Sequence, residues 1–298
     1  MNDSAFDVSV IIPTFNRAHT IGRAIASALA QTQPVAEILV IDDASTDDLA
    51  GALAPFGSAV RCIRHDVNQG APAARNTGLR EAACDWVAFL DSDDAWLPHK
   101  LERQRAFMVQ YDLDASSTNC RFVWPGADQS EPADRPYGAP MGLDAFVWGC
   151  FISPGTNLVA RKQCMLDIGG YDTRYPRYED WDLLIRLAWS GSVRFGYCHE
   201  VLAEIHRGPK PDPARVAGSL DTLQCAHLAA LRMRDPGLAG DFRAALHFAR
   251  AANEAVRGRY VRTLLLLMRS LLLRPIGNQA FRIVMWPKIG RRWQRLWQ

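Results

Sequence analysis

Along the first 125 positions, apolar residues recur in two alternating patterns. Residues 8–12, 37–41, 60–64 and 86–90 are short runs rich in β-branched or aromatic side chains and bounded by turn residues, which predicts four strands. Between them, residues 21–31, 47–53, 71–83 and 98–111 carry helical spacing. Ser45 and Thr46 are candidate N-caps for the second helix, and Pro98 suits a first helical turn. Strand–helix alternation predicts βαβ units and an α/β fold with a mostly parallel sheet flanked by helices. Beyond residue 114 the pattern is less regular. Residues 115–124, 156–160, 193–197 and 201–205 read as strands, 179–189 as a short amphipathic helix, and the proline-rich stretch 125–140 as a loop. From Ala214 the spacing is helical to the end. Pro209-Lys210-Pro211-Asp212-Pro213 therefore marks an expected boundary, with a sheet domain over 1–212 and a helical extension over 213–298.

In open α/β sheets, ligands bind beyond the carboxyl ends of the strands. The first predicted strand ends in Pro13-Thr14-Phe15-Asn16-Arg17, the second in Asp42-Asp43-Ala44-Ser45 and the fourth in Asp91-Ser92-Asp93-Asp94. Five carboxylates are thus expected at one sheet edge, where like charges repel and a cation is the simplest compensation. In extended backbone, residues i and i+2 share one side, so Asp91 and Asp93 can converge on a hard cation such as Mg²⁺ or Mn²⁺. Such an ion leaves positions open for phosphate oxygens. The plainer alternative is a polar loop with Asp94 as a helix cap. A GxGxxG turn after the first strand and a Walker A lysine are both absent, which argues against dinucleotide oxidoreductases and P-loop NTPases.

The chain has 298 residues, 48% of them hydrophobic and 22% charged, enough to bury a full core. Its net charge of +2 conceals an asymmetry. The last acidic residue is Glu254, and residues 255–298 contain ten Lys or Arg. An acidic body with a basic tail points to an anionic surface as partner. Seven cysteines stand singly, without metal or redox spacing, as expected for a reducing compartment. Met1-Asn2-Asp3-Ser4 does not resemble a secretory leader, and no apolar run is long enough to span a bilayer.

In order along the chain, these motifs resemble the inverting family 2 glycosyltransferases of GT-A fold. The series is the strand from Val8 to Ile12 with Pro13-Thr14-Phe15-Asn16-Arg17, then Asp42-Asp43-Ala44-Ser45, Asn68-Gln69-Gly70, Ala74-Arg75-Asn76-Thr77-Gly78 and Asp91-Ser92-Asp93-Asp94. Gly169-Gly170-Tyr171-Asp172 and Glu179-Asp180-Trp181 close it. The resemblance covers about two-thirds of the chain and implies a nucleoside-diphosphate sugar donor. It implies that Pro13, Thr14, Phe15 and Asn16 line the nucleotide with Asp43, that Arg75 approaches the diphosphate, and that Asp91 and Asp93, with His206, bind Mn²⁺ or Mg²⁺. It makes Asp180 the general base, although a carboxylate at a helix start is also a cap. Trp181 is a core residue or a sugar platform. A nucleotidyltransferase and a non-catalytic sugar-nucleotide-binding module stand as alternatives.

The expected acceptor is a saccharide or lipid-linked hydroxyl in surface polysaccharide or glycolipid assembly, with no nucleic-acid partner. Residues 259–298 interleave Leu264, Leu271, Trp286, Trp293 and Trp297 with Arg262, Arg269, Arg282, Lys288 and Arg291. That composition predicts short helices, broken at Pro275 and Pro287, lying on an anionic membrane. The expectation is therefore a cytoplasmic protein held peripherally on the inner face of a membrane. Packing of the leucines onto the acidic body is the alternative.

Overall fold

A computed structural model describes residues 6–124, 137–208 and 212–275, together with the backbone of 131–132. In chain order the strands are β1 (Val8–Thr14), β2 (Glu37–Asp42), β3 (Arg61–Arg64), β4 (Trp86–Phe89), β5 (Ala95–Trp96), β6 (Ala115–Val123), β7 (Glu131–Pro132), β8 (Val159–Arg161) and β9 (Phe195–His206). The helices are α1 (Ala18–Leu29), α2 (Leu49–Leu53), α3 (Ala71–Glu81), α4 (Lys100–Gln110), α5 (Leu143–Phe146), α6 (Pro154–Asn157), α7 (Lys162–Asp167), α8 (Glu179–Ser190), α9 (Pro213–Arg234), α10 (Pro236–Val256) and α11 (Tyr260–Leu273).

The strands form one sheet in the order β3-β2-β1-β4-β8-β6-β9-β5, with β7 on β6. Through β3, β2, β1 and β4 it is parallel, as the βαβ pattern predicts. Beyond β4 it is mixed. β8 runs antiparallel to both β4 and β6, β6 and β9 are parallel, and β5 returns antiparallel on β9. Every residue of β1 is buried, which is why it reads as a continuous apolar run rather than an alternating one. Its residues still alternate between two cores. Ile11 faces the side covered by α3 and α8, whereas Val8, Val10 and Ile12 face α1 through Ile21, Ala24, Ile25 and Ala28.

Several expected elements change. Residues 156–160 were expected as one strand, but the chain turns through α6 first and pairs only from Val159. The left-handed Ser153 (φ 48°) followed by Pro154 at a helix start forces that turn. The two expected strands at 193–197 and 201–205 are one strand, β9, whose register slips twice against β6. The two-residue β5 is too short to leave a periodic signal. α2 is capped by Asp48, whose carboxylate accepts from Gly51 N–H, rather than by Ser45 or Thr46. Pro98 lies just before α4, which starts after His99. Within the expected loop at 125–140, the described residues include the short β7.

The helices that follow Asp212 share the sheet's core. Asp212 caps α9 by accepting from Ala214 N–H at 2.9 Å. Leu220 and Leu223 of α9, and Phe242 and Leu246 of α10, join the cluster that contains Phe89, Tyr171 and Trp181. The Trp181 and Phe242 rings meet edge-on with centroids 5.6 Å apart, and Trp181 Nε1 donates to Phe146 O at 2.7 Å. Trp181 is therefore a core residue. α11 ends at Leu273, two residues before Pro275, while the second expected break at Pro287 lies outside the described residues.

α3 lies against β1 with almost no separation. A Cβ on Gly78 would sit 2.4 Å from Ile11 Cγ2, so only glycine permits this approach. Gly78→Ala is expected to lower unfolding free energy by about 1–3 kcal/mol through overpacking, despite alanine's better helix propensity. Urea unfolding with an unchanged m-value checks it.

Candidate active site

A cavity of about 610 Å³ opens beyond the carboxyl end of β4. Asp91, Asp93 and Asp94 form one wall, and Tyr178, Glu179 and Asp180 at the start of α8 form another. Ile205, His206 and Arg207 from the end of β9 complete it, with Phe122 and Trp124 from β6. Two motifs some ninety residues apart in the chain thus face one space.

Arg75 joins them. It is 3% exposed, and its Nη2 donates to Asp91 Oδ1 at 2.8 Å while Nη1 donates to Glu179 Oε1 at 3.0 Å. Its guanidinium also lies over the Tyr171 ring, 5.2 Å from the centroid. Asn76 fixes that ring's backbone by donating to Tyr171 O and accepting from Tyr171 N–H, both at 2.7 Å. The backbone at Gly155 comes so close that a Cβ there would lie 2.8 Å from both Arg75 Nη2 and Asp91 Oδ2. Arg75, expected to approach a diphosphate, lies beside the acidic wall with its two terminal nitrogens on protein carboxylates.

The acidic residues divide into two groups. Asp42 and Asp43 are satisfied by protein. Asp42 accepts from Ser45 N–H at 2.8 Å and pairs with Arg64. Asp43 accepts from Gln69 N–H at 2.9 Å and Gly70 N–H at 2.7 Å, and its Oδ1 is 2.8 Å from His65 Nδ1. The other His65 nitrogen reaches Thr77 Oγ1 at 3.0 Å, so His65, not singled out from sequence, fastens the loop after β3 to α3. Asn16, in left-handed backbone at φ 53°, accepts from Thr46 N–H at 2.7 Å and ties the end of β1 to the end of β2. Pro13 and Thr14 are buried at that seam, and Thr14 Oγ1 has no hydrogen-bond partner among the described residues. Phe15 is 44% exposed beside them.

The second group faces the cavity and is under-compensated. Asp94 is buried, accepts from Thr156 Oγ1, and accepts from His206 N–H at 2.8 Å. Burial, and then the charge of Asp91, still raise its carboxyl well above the usual range. Burial and Asp91 also raise Asp93, against the pull of Arg17, which approaches within 3.5 Å. His206 Nδ1 is buried without a hydrogen-bond partner among the described residues, and burial, then Arg23, favours its neutral form.

These features suit a divalent cation shared with a ligand. The donor set is hard oxygen plus one neutral imidazole, and the local charge is negative. Among the described residues no three His, Cys, Asp or Glu side chains gather tightly enough to hold a metal unaided. The remaining ligands would have to come from an anionic substrate.

Asp180 stands across from this wall. Its Oδ1 is inaccessible and has no partner among the described residues. Burial, reinforced by Glu179 and only partly offset by Arg75, raises its carboxyl to about 7. The preceding Tyr178 sits in left-handed backbone at φ 64°, a costly conformation for an aromatic residue, and sets where α8 begins. Of the cavity's residues, Arg17 lay inside a motif already read in the sequence. Thr156, Gly155 and Tyr178 carried no sequence signal beyond a Pro-Gly pair.

A mixed sheet with an acidic wall beyond its central parallel strand and a carboxylate-bearing helix opposite defines a GT-A-type glycosyltransferase. Residues 9–167 match the Glycosyl transferase family 2 model, and the chain belongs to that family. It is 40% identical over 117 residues to the UDP-Glc:alpha-D-GlcNAc-diphosphoundecaprenol beta-1,3-glucosyltransferase WfgD of Escherichia coli, covering 39% of this chain and 46% of that one. It is 35% identical over 139 residues to the putative teichuronic acid biosynthesis glycosyltransferase TuaG of Bacillus subtilis, covering 46% and 54%. The chain thus spans about half the length of these curated relatives. In fold it resembles residues 1–349 of Staphylococcus aureus TarS, with a TM-score of 0.59, 16% identity and coverage of 93% and 91%. It also resembles a mannosyltransferase from Pyrobaculum calidifontis solved with GDP-Man and Mn²⁺, with a TM-score of 0.61, 21% identity and coverage of 94% and 81%. Family membership sets aside the nucleotidyltransferase alternative.

Arg75→Gln should leave Asp91 and Glu179 facing each other without a cation. Losing one partner of a buried ionic bridge costs about 3 kcal/mol or more. Denaturant unfolding is expected to show that loss, and Arg75→Lys, lacking the fork that spans both carboxylates, to recover only part of it.

Proposed function

We propose that this protein is an inverting, metal-dependent glycosyltransferase that moves a sugar from a nucleoside-diphosphate donor to an acceptor hydroxyl in surface polysaccharide or glycolipid assembly. The observation that carries the reading is Asp180: a carboxylate with a free buried oxygen and a near-neutral pKa, facing an acidic wall across one cavity.

The nucleotide is assigned to the seam between β1 and β2, lined by Pro13, Thr14, Phe15 and Asn16 and closed by Asp43. Asp91 and Asp93, with His206, would hold Mn²⁺ or Mg²⁺ against the diphosphate. The cation would neutralise charge as the diphosphate leaves. Arg75 keeps Asp91 and Glu179 at a fixed separation and so sets the donor wall relative to the base. Asp180 takes the acceptor's proton, the freed oxygen bonds to the anomeric carbon, and the bond to the diphosphate breaks on the opposite face. That sequence inverts the anomeric centre. A base of pKa near 7 suits neutral conditions, because it is substantially ionised yet still basic enough to accept the proton.

The named substrates of relatives support a lipid-linked acceptor, and the TarS complexes with UDP and UDP-GlcNAc, like the GDP-Man complex, support a nucleotide donor. No helix among the described residues is long and apolar enough to cross a membrane, which fits peripheral attachment to an anionic surface. The division at residue 212 is kept as a functional one: catalysis before it, positioning after it.

Asp180→Asn should preserve donor binding and reduce turnover by about 10² to 10⁴. Isothermal calorimetry with single-turnover kinetics separates the two effects; a loss of donor binding at unchanged turnover would place Asp180 in the donor site instead. Native turnover should rise as pH increases through about 7, where Asp180 ionises. The same residue predicts a stability effect. An acid whose folded pKa is raised above its ordinary value of 3.8 binds more protons folded than unfolded, so stability falls as pH rises from about 4 to 7. The Tm of Asp180→Asn should therefore exceed that of the native protein by a margin that widens across this window. Asp93→Asn should abolish the Mn²⁺-dependent part of donor affinity; equal affinity with and without EDTA in the native protein would refute the metal assignment.

A further inference from the structure

α11 carries a face that the fold leaves bare. Ser270 is buried and donates to Ala244 O at 2.8 Å, and Leu267 and Leu273 pack toward the core, so that side of the helix is docked on α10. On the opposite side Val261, Leu264, Leu265, Met268 and Leu272 recur at i, i+3, i+4, i+7 and i+11, one continuous stripe. They are between 50% and 78% exposed and extend over about 16 Å of helix. Burying this stripe in protein would need a partner surface that the described chain does not supply.

Basic side chains border the stripe. A second cavity of about 300 Å³ lies between α9, α10 and α11, lined by Arg250, Arg262 and Arg269 together with Leu265 and Leu266. Its acids are already engaged: Asp221 pairs with Arg250 at 2.8 Å, and Glu254 lies 3.6 Å from Arg257 and 3.5 Å from Arg259. Arg262 and Arg269 make no ion pair among the described residues. They sit one full heptad apart, on one flank of the apolar stripe. The positive field reaches His247, whose protonation is disfavoured first by burial and then by Arg250, Arg269 and Arg243. The chain beyond residue 275 continues in the same character, with Arg282, Lys288, Arg291, Arg292 and Arg295 among Trp286, Trp293 and Trp297 and no acidic residue.

We propose that α11 is a membrane-docking element: its exposed leucine and methionine stripe enters the headgroup layer while Arg262 and Arg269, at the mouth of the cavity between α9, α10 and α11, bind the phosphate of an anionic phospholipid. An apolar face bordered by cations matches a helix lying in the interface plane, and the charge is complementary to an anionic leaflet. The inference deepens the proposed function, because a lipid-linked acceptor presents its reactive hydroxyl at such a surface.

The test uses the full chain and two double variants, all of whose altered residues are exposed and outside the catalytic cavity: R262Q/R269Q and L264Q/L272Q. Vesicle co-sedimentation with phosphatidylglycerol–phosphatidylcholine mixtures is compared with phosphatidylcholine alone. The native chain should bind the mixed vesicles only. R262Q/R269Q should lower that partition about thirtyfold through loss of two interfacial charges. L264Q/L272Q should lower it about tenfold or more through loss of apolar insertion. Both variants should keep native donor affinity and donor hydrolysis in vesicle-free solution, readouts that report the catalytic reading separately. Native-like vesicle binding by both variants would overturn the proposal, as would a native chain that ignores both vesicle types. Sedimentation velocity supplies a further check: a native dimer that L264Q/L272Q dissociates, with vesicle binding unchanged, would assign the stripe to a second copy of this chain and equally overturn it.

Discussion

The site depends on one buried cation. Arg75 places its two terminal nitrogens on Asp91, at the end of β4, and on Glu179, at the start of α8. Without that bridge the carboxylates of Asp91 and Glu179 would lose the cation that joins them. With it, two segments far apart in the chain hold a fixed separation, and the space between them becomes a cavity. Tyr171 beneath the guanidinium and Asn76 beneath Tyr171 transmit the same constraint to the loop before α8. Gly155 belongs to this arrangement because any side chain there would strike both members of the Arg75–Asp91 pair.

Arg75 compensates only part of the negative charge it organises. Asp93, Asp94 and Asp180 all retain carboxyls pushed upward, with burial as the first cause in each case. A site that stabilised the apoprotein best would have neutralised them. Three such carboxyls at one cavity are the feature on which the proposed cation and base roles rest. Asp42 and Asp43 show the contrast: they share the sheet edge, but Arg64, His65 and the amides of residues 69–70 satisfy them. Sequence placed all five carboxylates together; packing separated the pair satisfied by protein partners from the three that face the cavity.

The helices after Asp212 bear on the same geometry. Trp181 follows Asp180 directly and inserts between the sheet and α10, against Phe242. Asp182 in the next position pairs with Arg186 on its own helix and with His227 on α9, at 2.8 Å. The C-terminal helices therefore brace the helix that carries Asp180.

From its sequence this protein declared the parallel half of the sheet, because β1, β2 and β4 are buried on both faces and must be written as apolar runs. It declared the carboxyl-end motifs for a related reason: residues at the end of a buried strand are exposed to ligand and free to be polar. The described C-terminal helices were legible as well, through their 3.6-residue period. The rest required the tertiary structure. β5 is too short to hold a period, β8 was legible only in the last residues of the strand expected at 156–160, and the slips of β9, which carries the extra residues against β6, appear only in the pairing. The partners of Arg75 lie 16 and 104 positions away, so no local pattern encodes the bridge. Nor does any local pattern show which side of α11 is bare. Its leucines look alike along the chain, and only the docking of Ser270 on α10 decides which of them meet the core and which face outward.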